Sequence, residues 1–117
     1  MARPAKIPLV FYRTSAGGEP VLAWLRSLPA DDRRVIGADP ATVQFGWPVG
    51  MPLCRPLGDG LWEVRCTLPS RRIARVVFCV AADRLIAVHA FIKKTQKTPV
   101  DDLALARRRA REFVSLE

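Results

Sequence analysis

The chain has 117 residues, 50% hydrophobic and 26% charged, with a formal net charge of +8. That balance fits one globular domain over 1–117 and excludes a disordered chain, while the positive excess points to a polyanionic partner, nucleic acid or an acidic protein. No apolar run approaches the roughly 18 residues of a membrane span, and Pro4 and Pro8 interrupt any signal-peptide core. The expectation is a cytoplasmic protein without membrane contact.

Cys54, Cys66 and Cys79 form no C-x-x-C pair and are odd in number, so neither a disulfide framework nor a zinc site of ordinary spacing is expected. Cys66 and Cys79 lie in strand-like runs, where a free cysteine serves as a small core hydrophobe.

In chain order, Ile7 to Tyr12 reads as a short strand, with Pro8 confined to an edge or to the strand start because it lacks an N–H. Gly17-Gly18 break the chain, and Glu19-Pro20 open a helix with proline in its first turn. Val21, Leu22, Trp24, Leu25 and Leu28 recur at helical spacing up to Pro29, with Trp24 assigned to the core. A second helix is expected to begin near Asp31 or Asp32, whose carboxylates suit an N-cap and first turn, with Val35 and Ile36 on its apolar side. Asp39-Pro40 then caps a further helix to about Phe45, and the segment from Gly46 to Pro52 reads as a loop.

Beyond it the period changes. Leu53 to Leu57 is a strand, and Gly58-Asp59-Gly60 a tight turn. In the alternating run that follows, Leu61, Glu63, Arg65 and Thr67 share one face, and Trp62, Val64, Cys66 and Leu68 the other. Pro69-Ser70-Arg71 turns back into a strand from Ile73 to Val80, and Ala81-Ala82-Asp83 into one ending at His89 to Ile92. The last helix runs from Asp101 to about Val114, with Leu103, Ala106, Ala110 and Phe113 on one stripe and Arg107, Arg108, Arg109 and Arg111 crowding its outer surface. The class is α+β, built on an antiparallel meander.

No P-loop, Gly-x-Gly-x-x-Gly or nucleophile elbow is present, so no nucleotide cofactor and no serine triad are expected. What remains is a cluster of cations. Arg65 would lie beside the strand carrying Arg75, and the next strand ends at Lys93 and Lys94, with strands about 4.8 Å apart. These side chains either converge on one phosphate or make ordinary ion pairs, for instance with Glu63 or Asp83. The lysines after Ile92 likewise either grip phosphate or solubilise a loop. Arginine offers a rigid bidentate fork and lysine a mobile charge. Cleavage of RNA by its own 2′-hydroxyl needs a base, charge stabilisation at the phosphorus and an acid for the leaving oxygen, and packed cations lower an amine pKa toward that of a base. Such chemistry requires no metal.

Gly-Leu-Trp-Glu-Val-Arg at 60–65, Arg-Ile-Ala-Arg-Val-Val-Phe at 72–78 and His-Ala-Phe-Ile-Lys-Lys-Thr-Gln-Lys-Thr-Pro at 89–99 resemble the phage-derived Gp49-like, HigB-type branch of RelE/ParE toxins. Gln44-Phe45-Gly46-Trp47-Pro48 extends the resemblance. It implies the compact RelE-like fold, an antiparallel sheet with two N-terminal helices and a C-terminal helix. It also implies a type II toxin that cleaves mRNA, mostly on the ribosome, and is silenced by an antitoxin of helix-turn-helix type. Carried over residue by residue, the catalytic set is Arg65, Arg75, Lys93 and Lys94, with Arg71, Arg72, Thr95, Gln96 and Lys97 as further RNA contacts and no cofactor or metal. One departure stands out: the only tyrosine is Tyr12, so none follows the last strand; His89 either serves in its place or, as its strand position and apolar neighbours favour, belongs to the core. A ParE-like, non-catalytic gyrase inhibitor and an inactive toxin retaining only antitoxin binding are the competing readings.

Overall fold

The strands between Leu61 and Ile92 carry apolar residues on both faces, alternating with polar ones in Leu61–Thr67 and nearly continuous in the two that follow, and helices pack on each face. The computed structural model describes residues 8–36, 54–81, 84–93 and 98–116. They form β1 (Leu9–Phe11), α1 (Pro20–Arg26), α2 (30–36), β2 (Cys54–Gly58), β3 (Leu61–Thr67), β4 (Ile73–Ala81), β5 (Arg84–Ile92) and α3 (Val100–Leu116). The sheet order is β1-β5-β4-β3-β2. Strands β2 to β5 make the expected antiparallel meander, and β1 pairs parallel with β5, so the sheet as a whole is mixed. The fold is α+β, consistent with the RelE-like arrangement. The helix expected over 39–45, the loop over 46–52 and the turn at Ala82-Asp83 lie outside the described residues.

One sheet face is apolar throughout. Val64, Cys66, Leu68, Ala74, Val76, Phe78, Leu85, Ala87 and Ala90 bury against Val21 of α1 and Ile36 of α2, with Trp24, Leu25 and Leu28 packed alongside. Trp24 therefore belongs to the core, as its spacing indicated. The second face carries Leu61, Val77, Cys79, Ile86 and Val88, which meet Leu103, Ala106 and Ala110 of α3. Cys66 and Cys79 are buried thiols outside any disulfide, and burial pushes the Cys79 thiol above its ordinary value.

Local chemistry sets the boundaries. Pro8 stands just before β1, and its carbonyl accepts from the Leu85 amide, so the missing N–H costs no ladder bond. Pro20 occupies the first turn of α1, where an unpaired N–H would exist anyway. The β2–β3 turn needs positive φ at Gly58 (89°), Asp59 (54°) and Gly60 (77°).

Two expectations are corrected by the packing. Helix α2 starts at residue 30, so Asp31 and Asp32 stand in its first turn, one of the two places expected for them, and Asp32 is not its N-cap. Its carboxylate is 1% exposed and instead takes the Ser70 hydroxyl (2.9 Å), the Ser70 amide (3.3 Å) and Arg72 Nη2 (3.4 Å), tying α2 to the β3–β4 turn. A buried carboxylate needs such partners, which an exposed N-cap would not supply. Arg109 is not on the outer surface of α3. It turns inward, donates to the Val88 carbonyl at 2.9 Å and lies 5.4 Å from the centroid of the Tyr12 ring.

Candidate RNA-binding and cleavage site

Helix α3 covers only part of its sheet face, and the cations gather on the part beside its N-terminus. Arg55 of β2 stands opposite Glu63 of β3, and Arg65 of β3 directly opposite Arg75 of β4. Arg65 thus lies beside the strand that carries Arg75, as its alternation indicated.

Bringing Lys93 to the same face takes a further device. Strict alternation from Leu85 would put Phe91 and Lys93 with Leu85 and Ala87, on the α1–α2 side. The β4–β5 ladder, however, pairs Phe78 with Ala87 and Val77 with His89, leaving Val88 as the extra residue of a bulge. Parity flips there. Ala90 and Ile92 join the α1–α2 core, whereas His89 and Phe91 join Val88 on the α3 side, with Phe91 opposite Arg75. Lys93 follows in the same parity, its amide donating to the Ile73 carbonyl at 2.7 Å.

Two of the cations, Arg55 and Arg75, are held by a single buried carboxylate. Glu63 is 3% exposed; its Oε1 meets Arg55 Nη2 at 2.9 Å and Arg75 Nε at 3.4 Å, and its Oε2 accepts from the Thr98 hydroxyl at 2.7 Å. Arg75 Nη1 also donates to Thr98 Oγ1 at 3.4 Å. Of the two possibilities for the arginines, ion pairing with Glu63 is therefore realised for Arg75, which is 3% exposed, while Arg65 is exposed to solvent.

The electrostatics follow from this crowding. Partial burial, then the charges of Arg65, Arg75 and Arg55, hold the Lys93 ammonium below its ordinary value, with Glu63 pulling back. Burial likewise lowers Arg75, against the opposing pull of Glu63. A lysine with a depressed pKa is a stronger candidate for proton transfer than an ordinary one.

His89 departs from the core role assigned to it. The bulge turns it toward α3, where Nε2 lies 2.6 Å from Asp102 Oδ1 and Nδ1 lies 3.5 Å from Arg109 Nη1, with Phe91 stacked at 5.5 Å between ring centroids. Tyr12 sits under the other end of α3, donating to Glu112 at 2.5 Å.

The remaining expected contacts divide. Arg71 is exposed at the β3–β4 turn with φ of 65°, at the end of the sheet where Lys93 meets Ile73. Arg72 is engaged by Asp32 and Ser70, with 45% of its side chain exposed. Lys94, Thr95, Gln96 and Lys97 lie outside the described residues. Arg55 and Thr98 belong to the cluster although sequence reading did not single them out. Arg55 precedes Pro56 in a strand too short for a clear period, and Thr98 is hidden among the polar residues that follow Lys93. Among the described residues no group of side chains could hold a metal ion, and no helix is long and apolar enough to cross a membrane.

A family model, phage-derived protein Gp49-like, matches residues 23–111, a stretch that begins within α1, ends within α3 and includes every member of the cation cluster. The chain belongs to this family. Gp49-like proteins are RelE/ParE-type toxins, so the chain carries the toxin fold of a toxin–antitoxin pair, with an antitoxin as implied partner. No curated protein matches the chain.

Proposed function

We propose that this Gp49-like toxin is an mRNA endonuclease acting on the ribosome, with Arg65, Arg75, Lys93 and Lys94 at its site. The observation that carries the reading is the placement of Lys93, by a bulge, beside two arginines that face each other across β3 and β4. In the reaction, neutral Lys93 takes the proton of a ribose 2′-hydroxyl. The 2′-oxygen attacks the adjacent phosphorus, the bond to the 5′-oxygen breaks, and that oxygen takes a proton from water. Arg65 neutralises charge on the pentavalent phosphate from the exposed side, and Arg75 does so from the buried side. The side chains supply base and charge without a metal. Arg71, Arg72, Thr95, Gln96 and Lys97 make further RNA contacts, and the net charge of +8 favours docking on ribosomal RNA in the cytoplasm.

The antitoxin, of helix-turn-helix type, binds the toxin and silences it. Induced expression of Lys93→Ala with Lys94→Ala tests the reading. Growth arrest is lost while antitoxin binding survives. A double variant as toxic as the native chain overturns it, and gyrase supercoiling then becomes the assay of choice.

A further inference from the structure

Glu63 is the one carboxylate among the described residues that contacts the cation cluster, and it is almost wholly buried. A buried acid in a site meant for an anion is a liability unless it does something that repays its repulsion. Its contacts show what that is. Oε1 is shared by Arg55 and Arg75, from the two strands that flank β3, and Oε2 takes the Thr98 hydroxyl from the segment leading into α3. Three separate pieces of backbone thus meet on one side chain.

We propose that Glu63 is the positioning residue of the site: it holds Arg55 and Arg75 in place beside Arg65 and Lys93, so that four cations, Arg55 among them, present one preassembled phosphate-binding surface. The inference rests on the cluster being a phosphate site, and it adds Arg55 to the residues that touch the phosphate. Without Glu63 the half-buried Arg55 and the buried Arg75 guanidinium groups would repel each other and Lys93 and swing apart. With it, the phosphate enters a geometry already set, and the loss of side-chain freedom is not charged to binding. The groups facing Lys93 are Arg55 from β2, Glu63 and Arg65 from β3 and Arg75 from β4; Asp102 of α3 is taken up by His89.

Inorganic phosphate is the probe, with binding followed by NMR of the arginine side chains at fixed low ionic strength. A mere counter-ion and a positioning residue predict opposite signs. Glu63→Gln raises the local positive charge, so a counter-ion's loss would tighten phosphate binding; loss of a positioning residue weakens it, by about tenfold for one charge-assisted contact. Thr98→Val changes no charge and severs the Oε2 contact, so it also weakens phosphate binding and serves where Glu63→Gln does not fold. In the same samples the Lys93 ammonium titrates lower in Glu63→Gln and higher in Arg55→Gln. Tighter or unchanged phosphate binding in Glu63→Gln, unchanged binding in Thr98→Val, or a Lys93 midpoint indifferent to both charge changes overturns the proposal. None of these readouts involves RNA cleavage, so a toxin that meets them and cuts no mRNA overturns the nuclease reading alone.

Discussion

Arg65 and Arg75 are cross-strand partners in the β3–β4 ladder, two like charges set directly opposite each other. Such a pair ordinarily destabilises a sheet. Here the two are treated differently, since Arg75 is buried on Glu63 and Arg65 faces solvent. Substitution therefore separates the two. Arg65→Ala abolishes toxicity and leaves stability within about 0.5 kcal/mol of native. Arg75→Ala abolishes toxicity too, but leaves Glu63 short of a buried partner and costs about 2 kcal/mol. Urea unfolding of the two variants checks the difference.

The depressed proton affinity of Lys93 fixes the sign of the pH dependence. Below its own pKa Lys93 is charged and accepts no proton, so single-turnover cleavage on ribosome complexes rises with pH and levels off before the ordinary lysine value of 10.5. Arg55 is one of the charges that lower Lys93, so Arg55→Gln moves that rising limb to higher pH. A limb that shifts downward, or no limb at all, would remove Lys93 as the base.

Attack by the 2′-hydroxyl leaves a chemical signature at the cut. The downstream fragment carries a 5′-hydroxyl, and the upstream one a 2′,3′-cyclic phosphate or its opened phosphate. Downstream ends therefore accept label from polynucleotide kinase without prior phosphatase treatment. Ends that need phosphatase first would mean that water, not the ribose, attacked.

Helix α3 is moored near its start by His89 on Asp102 and farther along by Arg109 on the Val88 carbonyl. Asp102→Ala removes the first mooring and lowers stability by about 1 kcal/mol. Hydrogen exchange then accelerates in the first turns of α3 more than in β3 or β4. Uniform acceleration across the sheet would show that the contact serves the whole fold and not the helix end.

Much of the architecture was legible because it rests on period. The alternation of β3 put Glu63 and Arg65 on one face and Trp62, Val64, Cys66 and Leu68 on the other, and the packing agrees. The α1 spacing and the stripe of Leu103, Ala106 and Ala110 on α3 were equally direct. What could not be read was everything that depends on a single irregularity or a distant partner. The Val88 bulge reverses the facing of His89, Phe91 and Lys93, and nothing in Ala-Val-His-Ala announces it. Asp32 looked like a cap because caps are local, whereas its partners Ser70 and Arg72 are 38 and 40 residues away. Arg109 reads as one of a surface run of arginines until the Val88 carbonyl and the Tyr12 ring draw it in. The set Arg55, Glu63 and Thr98 comes from three segments, which only the fold brings together.

The most direct test is primer extension on mRNA translated in a reconstituted system with purified toxin, run beside the Lys93→Ala variant. New 5′ ends inside translated codons, produced by the native chain and absent with Lys93→Ala, are the predicted result. Intact mRNA with the native toxin, or the same cuts from Lys93→Ala, would contradict the assignment of this cation cluster as an RNA-cleaving site.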